Sequence, residues 1–530
     1  MAEEDVDAVV VGAGHNGLIA ANLLADAGWS VTVLEASDAP GGAVRTDQIT
    51  APGWHHDLGS AFYPLGVASP VLRGLDLGAH GLRWRHPPEP LTHVLPDDRA
   101  VLLSRDLDTT ATSVEGFAAG DGDAWRRLAA EWQRLRDPLL ETMLSPFPPL
   151  RGASRLVRAL GTPALLRLAR RLVMPASRFA EEEFAGEGAR LLVEGNALHT
   201  DLSSGQAGSA VFGWLLAMLA QDVGFPVPEG GAGALSEALV HRLAASGGSV
   251  QCRRPVQRVL VEAGRAVGVV DAEGGLVRAR RAVLADVPAP MLYRDLVGTE
   301  HLPARMVADL DRFTWDDAVL KVDWALSGPV PWTAPEARRA GTVHVGGDSR
   351  DLIDFGADLA ARRLPRHPFL LVGQMTLADP SRSPAGTESL WAYTHLPHGQ
   401  PRTDAEIDRQ VERMTAVLER HAPGFSDLVV HRTVSRPGDL QARIPSLIDG
   451  AIMGGTSAIH QQLFLRPTPG LGRADTPVDR LFLAGASAHP GGAVQGGPGS
   501  NAARAAMARA GLLGGAYRTA IGAAHRLVHG

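Results

Sequence analysis

The chain has one cysteine, Cys252, in 530 residues, so it holds no internal disulfide, no cysteine-rich zinc site and no dithiol redox pair. Any electrons it handles must leave by another route. Lysine is almost as scarce: Lys321 stands alone among 51 basic residues, which reads as a composition bias toward arginine. The chain also lacks a basic excess, because 58 acidic side chains leave a net charge of -7. Such a surface has no field to hold a polyphosphate backbone, and nucleic acid is not expected as a partner. The longest apolar run, Ala210 to Ala220, is far short of the roughly 20 residues that cross a bilayer. The acidic start, Met1 to Asp5, does not resemble a secretion leader, so a cytoplasmic location is expected.

What is present is ordinary globular material. Hydrophobic residues make up 45% and charged residues 21%, and a chain of this length is expected to form two or more lobes. Residues 6 to 11, Val-Asp-Ala-Val-Val-Val, read as a strand buried on both faces of a parallel sheet. Leu18 to Ala27 reads as a helix closed by Gly28, and Ser30 to Leu34 as the next buried strand. The region from about Leu77 to Pro228 reads as helix-rich, broken by Pro138, Pro146, Pro148, Pro149, Pro163 and Pro175. Beyond it come a helix near Ala234 to Ala245 and an antiparallel meander over 255–262, 266–271 and 276–284. Further strands are expected at Ala318 to Trp324, Phe369 to Met375 and Leu481 to Ala484, with helices at Asp404 to Ala422 and from about Ser500.

Two constellations carry chemistry. Gly12, Gly14 and Gly17 form GxGxxG between a strand and a helix, and Glu35 closes the next strand 18 residues beyond Gly17. Gly12 permits the tight turn, Gly14 the approach of a pyrophosphate, and Gly17 close helix–strand packing, while the helix N-terminus offers N–H donors. Glu35 suits a ribose hydroxyl pair and disfavours a 2′-phosphate. The second constellation is the strand, loop and helix start from Leu481 to Ser500. Its loop holds six glycines, which leave backbone N–H groups unobstructed beside a positive helix end, suited to a bound anion.

Pro40-Gly41-Gly42-Ala43-Val44-Arg45-Thr46, the Gly-His-Asn-Gly form of the first motif, His56-Asp57-Leu58-Gly59-Ser60 and the C-terminal loop together resemble the flavin amine oxidase superfamily. Within it the chain is most similar to phytoene desaturases, beta-carotene ketolases and the pyridine nucleotide-disulfide oxidoreductase domain-containing group. The resemblance implies an α/β fold: a glutathione-reductase-like Rossmann FAD-binding domain from 1–75, 229–300 and 450–530, interleaved with an α+β substrate domain from 76–228 and 301–449. It implies FAD held by Gly12, Gly14, Gly17, Glu35, Gly41, Gly42, Arg45, Gly59, Ser60, Val256, Gly485, Ser487, Gly492 and Gly497. Ala486-Ser487 departs from the Gly-Asp that many flavoproteins carry there, so backbone N–H groups and Ser487 must suffice.

Hydride transfer from a carbon to flavin N5 needs positioning and exclusion of water more than many catalytic side chains. His489, inside the flavin loop, is the first candidate to accept a proton or orient substrate, followed by His460 and Arg466. The resemblance implies an apolar, isoprenoid-like substrate. The alternatives are an amine oxidase on a polar substrate, which needs aromatics beside the flavin in a chain with only 5%, and a flavin-binding regulatory protein without turnover. The segment Leu150 to Phe179 interleaves arginine with leucine. It reads as a solvated arginine face or as a peripheral membrane contact.

Overall fold

A computed structural model describes residues 4–530. Its first sheet has seven strands, four of them in a parallel core ordered Leu276–Ala285, Glu4–Val11, Val31–Leu34 and Ser249–Gln251. Leu481–Leu483 adds in parallel to the other side of Leu276–Ala285. Val256–Glu262 and Arg265–Asp271 extend that edge antiparallel, as the meander predicts. Strand periodicity explains the double burial: Ala8 and Val10 face a core shared with the helices His15–Asp26 and Gly233–Ala245, whereas Val9 and Val11 face a second core on the opposite side.

The second sheet also has seven strands, with Ala318–Leu326, Ala340–Val345, Leu370–Gln374 and Glu388–Leu396 at its centre. Leu320, Val322, Val343 and Ala392 point to a core that includes Met414 and Leu418 of the helix Asp404–His421. Their neighbours Lys321, Thr342, Trp391 and Tyr393 therefore point the other way, into an internal cavity. A helical layer closes that cavity, with Phe212, Leu215 and Leu216 of Ser209–Asp222 on its wall.

The structure differs from the sequence reading in three places. Pro138 breaks nothing: Asp121–Leu144 is one helix running through it. Its neighbours Leu135, Leu139 and Leu140 are buried on one stripe, and that burial outweighs the roughly 3 kcal/mol that an internal proline costs. Pro163 does mark a break, since Gly161 has φ 68° and splits Leu150–Arg171 into two segments. The region 77–228 contributes strands as well as helices, Glu89–Val94 and Ala100–Leu103 joining the second sheet. Pro90 within the first of these makes it read poorly as a strand. The C-terminal helix begins at Gly497 rather than Ser500.

Candidate functional site

The first strand ends against Asp286, which follows the neighbouring parallel strand and lies directly beneath the glycine turn. A Cβ on Gly12 would stand 2.7 Å from the Asp286 carbonyl oxygen, one on Gly14 2.5 Å from Asp286 Oδ2, and one on Gly17 2.2 Å from the Gly12 carbonyl oxygen. No side chain fits at any of the three. The Gly17 N–H donates to Asp286 Oδ2 at 2.8 Å. Burial pushes the Asp286 carboxyl up to about 7, the Gly17 N–H opposes that, and the charge of Glu35 adds to it. Glu35 is buried, and its carboxylate is fixed by the N–H groups of Ala13 at 2.7 Å and Ser37 at 2.8 Å.

Above this turn lies a cleft with about 1150 Å³ of empty space, its mouth included, lined by Gly12, Gly14, Glu35, Gly42, Arg45 and Val256 among others. Both amide atoms of Asn16 and the Nε2 of His15 are buried there with no protein partner. Buried polar groups are normally paired, so the unpaired Asn16 Nδ2–H group, the glycine backbone and a helix N-terminus form a donor set suited to a dinucleotide pyrophosphate, with Asn16 Oδ1 and His15 Nε2 left as acceptors. Burial holds His15 down to about 4, against a hydrogen bond to Ala493. The Gly-His-Asn-Gly motif carries both side chains, but reading it for its glycines overlooks them.

The C-terminal loop closes the cleft from the far end of the chain. A Cβ on Gly485 would meet the Val287 carbonyl oxygen at 2.7 Å, and one on Gly492 the Met453 carbonyl oxygen at 2.8 Å. Ser487 and Ala486 line the cleft, and the Ser487 hydroxyl donates to the Gly454 carbonyl at 2.8 Å. Gly17, Gly41, Gly485 and Gly497 are not on the cleft surface but support it: the Gly41 N–H donates to Ala13 at 2.8 Å, and the Gly497 N–H to the Gln495 side chain.

A second cavity of about 1570 Å³, its opening included, adjoins the cleft. Leu447 and Ile452 line both, and Gly59, Ser60 and Gly492 line the second one only. Its walls are chiefly apolar, including Phe62, Phe212, Leu215 and Phe225. Besides Asp57, the charged residue on them is Lys321. Its ammonium donates to the Asp57 carbonyl at 3.0 Å and ion-pairs with the fully buried Asp323, which lies 3.4 Å from His56 Nδ1. Burial raises the Asp323 carboxyl, yet Lys321 and His56 outweigh it and hold the group below the usual carboxylate range. Arg382 pairs with Asp57 at 3.0 Å in the same buried cluster. The chain's sole lysine, which reads as composition bias, is thus a cavity residue.

The three catalytic candidates lie outside both cavities. His489 donates from Nε2 to the Ser145 carbonyl at 3.2 Å, and burial lowers it to about 4. His460 is exposed on a short helical turn, Ile459–Gln461. Arg466 is buried and donates to the carbonyls of Met453, Thr456 and Ala486 at 2.9 to 3.0 Å. It binds the loops that form the cleft floor together. Burial lowers Arg466 to about 10, with Asp316 and Asp201 opposing, so it stays charged at neutral pH.

Residues 17–315 match the flavin containing amine oxidoreductase family. Over 543 residues the chain is 28% identical to the pyridine nucleotide-disulfide oxidoreductase domain-containing protein 2 of Mus musculus, covering 94% of this chain and 93% of that protein. It is 27% identical to the zeta-carotene-forming phytoene desaturase of Myxococcus xanthus, covering 91% and 90%. Among solved structures, an oxidoreductase from Methanosarcina mazei aligns with a TM-score of 0.62 at 16% identity, covering 94% of this chain and 99% of that one. Putrescine oxidase bound to putrescine aligns at 0.59 and 19%, covering 96% and 99%. With a dinucleotide cleft whose unpaired polar atoms suit its pyrophosphate, the chain belongs to the flavin containing amine oxidoreductase family, and its cofactor is FAD.

Proposed function

We propose that the protein oxidises an apolar, isoprenoid-like substrate held in the second cavity, in the manner of a desaturase or ketolase. The frame is glutathione-reductase-like, with an FAD lobe from 1–75, 229–300 and 450–530 and a substrate lobe from 76–228 and 301–449. The observation that carries this reading is the mainly apolar cavity that meets the dinucleotide cleft at Leu447 and Ile452. Bound FAD would supply a hydride acceptor at N5, and the second hydrogen of the substrate would leave as a proton. The chain's own part is placement: the Gly12–Gly17 turn and the Asn16 amide N–H toward the pyrophosphate, Glu35 toward the ribose, and Val256 beside the adenine. Phe62, Phe212 and Phe225 keep water from the reacting carbon.

An amine substrate is the second reading, favoured by Trp391 and Tyr393, stacked on the cavity wall with ring centroids 5.9 Å apart. Against it, the ammonium of Lys321 faces the same space, and the carboxylates of Asp57 and Asp323 already serve Arg382 and Lys321. Anaerobic mixing with isoprenoids and with primary amines decides between them through bleaching of the flavin. Bleaching by isoprenoids is expected; bleaching by amines alone overturns the proposal, and none across a broad panel favours a flavin-binding protein without turnover.

The reading includes contact with a membrane surface. Among the described residues no helix is long and apolar enough to cross a membrane. Leu150, Val157, Leu166, Leu172 and Val173 are nevertheless exposed in an arginine-rich segment that includes Arg151, Arg158 and Arg167. Flotation with anionic vesicles is expected, and its absence removes this part of the proposal.

A further inference from the structure

His199 follows the helix Glu187–Ala197 and lines the apolar cavity. Its Nε2 lies 2.9 Å from the Nε2 of His344, a residue of the second sheet. One of the two nitrogens must donate and the other accept. His344 Nδ1 is buried without a partner, pressed so close to Gly195 that a Cβ there would stand 2.6 Å from it. A buried N–H with no acceptor costs more than an idle lone pair. The His344 proton therefore belongs on Nε2, donated to His199, and the His199 proton belongs on Nδ1. Burial lowers His199 to about 3 and His344 well below its usual value, so both rings are neutral at working pH.

Two strand positions before His344, on the same face of the sheet, Thr342 also lines this cavity. Only 1% of Thr342 is exposed, and its hydroxyl has no protein partner. An unpaired hydroxyl and a tethered imidazole thus stand on a chiefly apolar wall that also carries Lys321 and Tyr393, and the flavin loop accounts for neither.

The geometry points to a two-point hydrogen-bonding site, His199 Nδ1–H and the Thr342 hydroxyl, that receives the oxygen of a hydroxyl or carbonyl on an otherwise apolar substrate. This rests on the apolar-substrate reading and narrows it: the ligand is an oxygenated isoprenoid rather than a pure hydrocarbon. The His199–His344 pair fixes the donor direction, and the oxygen fixes which carbon of the chain reaches the flavin.

The test is binding to the FAD-loaded full chain, read by quenching of intrinsic tryptophan fluorescence, with farnesol and its dehydration product farnesene, which keeps the carbon skeleton and lacks the terminal oxygen. Wild type is expected to bind farnesol about tenfold more tightly. Thr342→Val and His199→Phe should each reduce that ratio and together bring it to parity, with farnesene affinity unchanged. Thr342→Val, nearly isosteric, keeps the test alive should His199→Phe fold poorly. A preference that survives both substitutions, or farnesene binding without any preference in wild type, overturns the inference and leaves the apolar-substrate reading intact. Failure to bind either compound removes both.

Discussion

The two cavities that meet at Leu447 and Ile452 are made of different material. The phosphate end of the dinucleotide cleft is largely backbone: Gly12, Gly14 and Gly17 are glycines because Asp286 and their own turn occupy the places a Cβ would go, and main-chain N–H donors near a helix end join the side chains of His15, Asn16 and Glu35. The apolar cavity is built from side chains brought from five distant stretches, near 57–66, 143–144, 199–225, 319–393 and 440–495. A site made of backbone has to write its geometry into local sequence, because only glycine permits it. A site made of side chains can be assembled from residues whose identities individually mean little.

The sharpest way to break that contrast is Gly17→Val. Two extra methyl groups beyond a Cβ already 2.2 Å from the Gly12 carbonyl must displace either the helix or the turn, at about 3 kcal/mol or more. The purified variant should be colourless and melt lower than wild type. Retained flavin would show the turn to be plastic and the backbone argument wrong. Next comes Lys321→Met, which removes the partner of a fully buried carboxylate and should cost about 3–5 kcal/mol in denaturant titration. Asp323 is held below its unfolded value, so its contribution is present above an unfolded carboxylate pKa of about 3.9 and is lost as pH falls through the folded value. Without Lys321 that folded value rises, and acid unfolding of the variant should begin at a higher pH than in wild type.

This contrast explains what was legible. The first βαβ unit, the meander, the buried strand at Ala318 and the helix after Thr403 all follow from local pattern. Glu35 and the glycines likewise announce a dinucleotide before any contact is known, and the family resemblance carried by 40–46 and the C-terminal loop names it FAD. Lys321 was visible only as an oddity of composition, since nothing local ties it to Asp57, 264 residues away in sequence. His15 and Asn16 lie inside the motif, but the GxGxxG spacing specifies only its glycines. His489 attracted notice by lying in the flavin loop, but the loop turns its ring toward Ser145. Sequence position near a cofactor motif does not set side-chain direction; the turn geometry does.

Asp286 sharpens the comparison from the cleft side, with a smaller effect of opposite sign. It is a buried carboxyl raised to about 7 by burial and by Glu35. A group raised on folding contributes its full share below the unfolded pKa of about 3.9 and loses it as pH rises to the folded value. Stability should therefore decline between about pH 4 and 7 on its account. Asp286→Asn keeps an acceptor for the Gly17 N–H and removes the titration, so the variant should show a flatter profile and be more stable above neutrality. Parallel melting curves across that range check it; identical slopes would mean that Asp286 does not titrate there.

The smallest effect is expected at Cys252, and it bears on where the electrons go. Relatives carry disulfide oxidoreductase in their name, yet this chain has one thiol, half-buried, and burial followed by the charges of Glu35 and Asp38 pushes it up. A raised thiol is mostly protonated at neutral pH and a poor nucleophile toward a disulfide. Cys252→Ser should leave flavin reduction and reoxidation within about a factor of two of wild type, and stability within about 0.5 kcal/mol. A tenfold slower reoxidation in the variant would instead give Cys252, with a thiol from a second molecule, a part in passing electrons out.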